Sequence, residues 1–182
     1  MIRTLTLACL CAALCACSKP ATDATEADSA RRVVTFAPHL AEIMFAVGAG
    51  EQLVGVSAWS DYPRAVLQLP EIGDAFSIDQ EQLSLLQPDL LLVWESGMPA
   101  HTVDDLRQRG YRVESIRSRN LEDVAAAVIR IGELTGRQTT ANVTAQRFTD
   151  ELEQLRTNYQ DAEPIDVFFQ ISARPLYTVN RE

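Results

Sequence analysis

Apolar residues along this chain fall into short unbroken runs, separated by segments where they recur every three or four positions. Residues 33–36 (VVTF), 53–56 (LVGV) and 90–94 (LLLVW) are runs of the length and character of strands. The last is apolar throughout, as a parallel strand buried on both faces must be. Residues 111–116 (YRVESI) give the next strand. Between the strands, Leu40, Ile43, Met44 and Val47 share one face of a helix over 39–47 that Gly48 ends. Asp79, with Gln82 three residues on, caps a short helix over 79–86. A helix over 100–109 closes at Gly110, and Asn120 caps another over 121–135, with Gly136 just past its end. Asp61-Tyr62-Pro63 reads as a turn, because Pro fixes its own φ and pushes the residue before it out of the helical region.

A longer object follows. Phe148, Leu152, Leu155 and Tyr159 stand at i, i+4, i+7 and i+11 of a helix over 141–159. At about 20 residues such a helix spans about 30 Å, the width of a small domain. Residues 161–164 break it, and 165–171 (IDVFFQI) is expected to start another buried strand. Strands alternating with helices predict an α/β fold with a parallel sheet, whose ligands sit beyond the carboxyl ends of the strands. Those ends carry Pro38 and His39, Trp59, Trp94, and Arg174, but no glycine-rich phosphate loop, nucleophile elbow or HExxH pair. The edge reads as a binding surface, not a reaction centre.

Charge and cysteine placement narrow the picture. Lys+Arg 16 against Asp+Glu 25 leaves a net charge of −9, which argues against a nucleic-acid partner. Two histidines exclude a three-histidine zinc site, and no apolar run reaches the length of a spanning helix. All 4 cysteines fall within the first seventeen residues, after Arg3 and an apolar run over 5–16. That is the anatomy of an export signal. Its end, Leu14-Cys15-Ala16-Cys17, resembles a bacterial lipobox. Residues 1–16 are thus expected to be a lipoprotein signal peptide and Cys17 the lipidated first residue of the mature chain. Residues 17–30, rich in Ala, Thr and Asp, read as a flexible tether. The mature chain would keep one blocked cysteine and no disulfide.

Several segments together resemble one family, the class III periplasmic binding proteins of cobalamin and iron-siderophore importers. RRVVTFAPHLAEIMFAVGAGEQLVGVSAWSDYP looks like the family's opening strand, helix, strand and Ser-Asp-Tyr-Pro turn. QEQLSLLQPDLLLVW is similar to its leucine-rich helix, Pro-Asp and strand. RIGELTGRQTTA leads toward the long helix, and VFFQISARPLYT looks like the first strand of a second lobe. The resemblance implies an N-terminal α/β lobe over 31–138, a joining helix within 139–163, and the start of a truncated second α/β lobe over 164–182.

It further implies a substrate-binding lipoprotein of an ABC importer, periplasmic and membrane-anchored, with no enzymatic activity and no cofactor beyond the transported ligand. The ligand would be cobalamin, held between the lobes and handed to a permease at the inner membrane; haem or a ferric siderophore is the alternative within the family. By the resemblance, Trp59 stacks on the ligand and Tyr177 faces it from the other lobe. Phe76 lies one position from a cleft tryptophan of the cobalamin binders. Pro38 and His39 open the first helix at the cleft floor, where free N–H groups meet polar ligand edges. His39 stands where the cobalamin binders carry a small residue, and imidazole can also ligate a bound metal. Arg174 would face carboxylate or amide groups. Glu81 matches the glutamate that meets an arginine pocket on the permease, in a helix first turn that favours any carboxylate. Glu42 is expected to bond the neighbouring loop, Trp94 to belong to the core and His101 to be solvated. Two readings stand beside this one. An α/β enzyme would need a nucleophile–base pair or ligand cluster that two distant histidines do not supply. A truncated product that binds nothing would expose the edge of 165–171.

Overall fold

The computed structural model describes residues 29–178. The leader at 1–16, Cys17 and most of the tether lie outside the described residues. Four strands, β1 (Val33–Thr35), β2 (Leu53–Val56), β3 (Leu90–Trp94) and β4 (Val113–Ile116), form one sheet in the order β2-β1-β3-β4. Every neighbouring pair is parallel. Parallel neighbours need crossovers, and α1 (Pro38–Ala46), α2 (Gln80–Leu86) and α3 (Ala100–Gln108) lie in them. Two helices follow, α4 (Leu121–Leu134) and α5 (Gln138–Tyr159), then an antiparallel hairpin of β5 (Gln170–Ala173) and β6 (Leu176–Thr178). The α/β class and the parallel sheet are as the sequence predicts.

Strand side chains alternate between two cores. Val33, Leu90 and Leu92 pack with Leu40 and Met44 of α1 and Val128 and Ile131 of α4. Val34, Leu91 and Val93 pack on the opposite side with Leu83 of α2 and Val103 and Leu106 of α3. The sheet is therefore covered on both faces, which is why LLLVW needs no polar position before its last residue. Both N-caps form, Asp79 Oδ1 accepting the Gln82 N–H at 2.8 Å and Asn120 Oδ1 the Asp123 N–H at 2.8 Å, but the expected capping box does not close, since the Asp79 N–H donates to the Ile72 carbonyl at 3.0 Å. Each such cap stabilises its helix by about 1 kcal/mol.

The helix α5 starts at Gln138, three residues before the expected boundary, and buries only Ala141 and Ala145. Small residues let it lie close against α4: a Cβ on Gly132 would sit 2.1 Å from the Ala141 Cβ. Arg156 also pairs with Glu122 at the start of α4. The predicted stripe is only half covered, with Leu155 and Tyr159 exposed.

The expected buried strand at 165–171 is overturned. Only Gln170 and Ile171 enter β5, which pairs antiparallel with β6 and not with the parallel sheet. Ile165, Val167, Phe168, Phe169 and Ile171 are 59–82% exposed. An apolar run becomes a buried strand only where another layer covers it, and no such layer stands over this one among the described residues.

Candidate functional site

In a parallel α/β sheet the carboxyl ends of the strands and the amino ends of the helices share one edge. Here β2 does not pass directly into a helix at that edge. Residues 70–73 first run beside it: the Val56 N–H donates to the Pro70 carbonyl at 3.0 Å and the Ile72 N–H to the Val56 carbonyl at 2.9 Å. The Ala58 N–H then donates to the Gly73 carbonyl at 2.7 Å, which ties the Trp59 loop to the Phe76 loop. Asp74 shapes the second loop, its Oδ1 accepting the N–H groups of Phe76 and Ser77 at 2.8 Å each. Gly73 has φ +87° and no room for a side chain, since a Cβ there would lie 2.0 Å from the Ser77 carbonyl oxygen.

This scaffold presents two rings. Trp59 is 84% and Phe76 83% exposed, on loops joined by a backbone hydrogen bond. Trp59 also sits at φ 68°, in the left-handed region where a bulky side chain is strained by about 1–3 kcal/mol. The Ser57 and Ser60 hydroxyls, 3.3 Å apart, close the turn around it. A strained residue that buries nothing is not there for stability. Both rings are visible in the sequence; Gly73 and Asp74, which hold them, are not singled out by it, and the GDAFS pattern of an Asx turn is the signal that could have found them.

A cleft of about 750 Å³ opens between α1, α4 and α5, walled by His39, Glu42 and Ile43 on one side and Val124, Phe148 and Glu151 on the other. Pro38 and His39 are the first residues of α1, as the sequence indicates, with no side-chain cap on the Ala37 that precedes them. His39 is half-buried, its Nε2 covered and, among the described residues, without a hydrogen-bond partner. Its ring meets Trp94 edge to face, centroids 5.3 Å apart, and Trp94 packs in turn on the core. Burial holds the imidazole pKa below its ordinary value.

That shift sets a pH dependence. The unfolded imidazole takes up a proton near its ordinary 6.5, whereas the folded one resists protonation to lower pH. Stability from this group is therefore complete above about pH 6.5 and is lost as the pH falls toward the depressed folded value. Thermal melts at pH 7.5 and 5.5 should differ less for His39→Gln than for the parent chain. An identical difference in both proteins would remove His39 as the cause.

The remaining sequence-marked residues are dispersed. Glu81 is exposed in the first turn of α2, which the Asp79 N–H bond to the Ile72 carbonyl (3.0 Å) anchors beside the aromatic loops. Glu42 is exposed on the cleft wall and, among the described residues, makes no bond to the neighbouring loop, contrary to expectation. Polar density at that edge comes instead from a residue the sequence does not mark, Arg119, whose guanidinium meets Glu95 at 2.7 Å. Arg174 occupies the turn of the β5–β6 hairpin and Tyr177 lies in β6. Arg174 does not line the cleft. His101 is exposed at the start of α3. Among the described residues no three His, Cys, Asp or Glu side chains gather as a metal site. No described helix is long and apolar enough to cross a membrane.

Comparison with known proteins adds four findings. The sequence model of the family described as periplasmic binding protein matches residues 33–176. The vitamin B12-binding protein of Vibrio cholerae is 33% identical over 150 residues, 82% of this chain and 54% of that protein. Among solved structures, the periplasmic vitamin B12 binding protein of Vibrio cholerae superposes with a TM-score of 0.77 at 33% identity, over 82% of this chain and 59% of that one. A periplasmic haem-binding protein from Pseudomonas aeruginosa superposes with a TM-score of 0.69 at 26% identity, over 78% of this chain and 52% of that one. The chain spans about half the length of the curated relatives it matches.

Proposed function

The chain belongs to the periplasmic binding protein family, and from that membership we propose that it captures cobalamin for an ABC importer. Proteins of this family bind and deliver their ligands and are not enzymes. The observation that carries the ligand assignment is the pair of exposed rings, Trp59 and Phe76, on two loops locked by the Ala58–Gly73 hydrogen bond. A corrin offers a broad apolar face, and an indole covering part of it contributes about 2–3 kcal/mol. The similarity to the vitamin B12-binding protein of Vibrio cholerae supports the same ligand.

Haem or a ferric siderophore is the second reading, supported by the haem-binding structural relative. Cobalamin is favoured by His39. Haem iron takes an axial ligand from its protein, but the Nε2 of His39, whose ring meets Trp94 edge to face, is buried and so is not offered to a metal. Cyanocobalamin arrives with both axial positions of its cobalt already filled. Glu81, exposed beside the aromatic loops, is the proposed contact with an arginine pocket on the permease. Lipid on Cys17 would hold the protein at the membrane of the cell envelope. Pro38 is proposed to turn the amino end of α1 toward polar ligand edges, and Arg174 and Tyr177 to complete the site from the hairpin.

Titration of the full chain with cyanocobalamin, haemin and a ferric siderophore, followed by tryptophan fluorescence, tests the proposal. Saturable quenching by cyanocobalamin at the lowest concentration of the three is the expected result. Saturation by haemin alone would move the assignment to haem, and no response to any ligand would mean that the chain does not bind by itself.

A further inference from the structure

We propose that His39 and Trp94 form a proton-controlled latch at the cleft: the neutral imidazole stays packed against the indole, and the protonated one swings toward Glu42 and uncovers it. The two rings meet edge to face, centroids 5.3 Å apart and planes at 86°. The Nε2 of His39 and the Nε1 of Trp94 are both buried and, among the described residues, without a hydrogen-bond partner. A neutral imidazole can keep its one proton on Nδ1 and leave Nε2 as an unused acceptor. Protonation puts a second N–H on Nε2, and the indole it touches offers another donor, not an acceptor. An imidazolium held there would be a partly desolvated charge with an unpaired donor, which folded proteins avoid. The lowering of the imidazole pKa by burial has the same origin.

The charges around the cleft decide where the ring goes. Glu42 lies three residues on along α1, on the same face, and lines the cleft with His39. It is exposed and, among the described residues, carries no ion pair. The other charged groups are matched. Arg119, in the loop before α4, meets Glu95 at 2.7 Å, and Arg147 and Glu151 of α5 approach to 3.9 Å. Tyr62 is the remaining titratable group on the lining, and α4 contributes apolar residues. Three carboxylates against two guanidiniums leave one negative charge unbalanced, and a histidine cation in the cleft balances it. The amino end of α1 disfavours a cation in either position of the ring, so it does not choose between them. Acid therefore exchanges an apolar ring pair on the cleft wall for an imidazolium–carboxylate pair. The cleft changes its surface with pH whatever ligand it takes.

Trp59→Phe leaves Trp94 as the single tryptophan of the full chain, and so as the reporter. Between pH 7.5 and 5.0 its emission should shift to the red and its quenching by acrylamide should rise, with a midpoint below 6.5. Adding His39→Gln should abolish both changes. Adding Glu42→Gln should lower the midpoint by about 0.2–0.4 of a pH unit, the strength of a pair at this helix spacing. His101→Gln leaves His39 as the single histidine, and its ring-proton NMR shift should titrate with the same midpoint while the latch is intact. Far-UV circular dichroism should stay constant over the range, which separates a local movement from unfolding. A loss of intensity with no red shift and no gain in acrylamide quenching would mean that the imidazolium stays on the indole, and would overturn the proposal. So would an unchanged midpoint in Glu42→Gln, a response that survives His39→Gln, or circular dichroism that changes in step with the fluorescence.

Discussion

Gly73→Ala should lower stability by about 2–5 kcal/mol, combining a left-handed backbone penalty of about 1–2 with an overpacking cost of about 1–3. In a chain of this size that corresponds to a fall in Tm of roughly 5–20 °C, read from a thermal melt. The backbone there has φ +87°, and a Cβ would meet the Ser77 carbonyl oxygen at 2.0 Å. That oxygen is already fixed, because it accepts the Asp74 N–H at 3.0 Å. The Gly73 carbonyl is fixed as well, accepting the Ala58 N–H at 2.7 Å. Neither side can give way without opening one of the two loops. Gly110→Ala supplies the control: its φ is +92° but nothing lies within 4 Å of a built Cβ. It therefore pays the backbone penalty alone. If the two variants lose the same stability, the close approach at Gly73 carries no weight. Because Gly73 joins the loops that present Trp59 and Phe76, its substitution should also weaken cobalamin binding at temperatures where the protein remains folded.

The sheet was legible because local pattern and tertiary environment agree there. LVGV and LLLVW are strands at the residues read, and Asp79 and Asn120 accept the hydrogen bonds that their positions predict. Two parts were not legible, for different reasons. The run 165–171 has the composition of a buried strand, but burial needs a covering layer, and composition does not supply one. The start of α5 was missed because QTTA carries no apolar periodicity: that turn docks on Gly132 through Ala141, by smallness, which a hydrophobic pattern does not register. At the site, the rings are conspicuous in sequence because tryptophan at a strand end is rare chemistry. Their support is not, since Gly73 and Asp74 act through a turn whose partners only folding brings together. Arg174 sits in the β5–β6 turn and not on the cleft lining, a placement that depends on how the hairpin folds and that no local pattern encodes.

Trp59→Gly is expected to separate binding from stability. Removing the indole should weaken cyanocobalamin binding by about 30–150-fold, the equivalent of 2–3 kcal/mol of covered aromatic surface. Stability should hold or rise by up to about 1 kcal/mol, because glycine accepts φ 68° without the strain that tryptophan carries. The side chain is 84% exposed, so no core contact is lost to offset that relief. Trp59→Ala should lose the same affinity while keeping the strained backbone, and thus melt below the glycine variant. Calorimetric titration and thermal melts on the three proteins distinguish the cases. A tryptophan held for structural reasons would lose stability on replacement and leave affinity unchanged, the opposite pattern. If that opposite pattern is found, the exposed ring is not the platform for the corrin, and Phe76 with the cleft beside His39 becomes the surface to which a ligand must be referred.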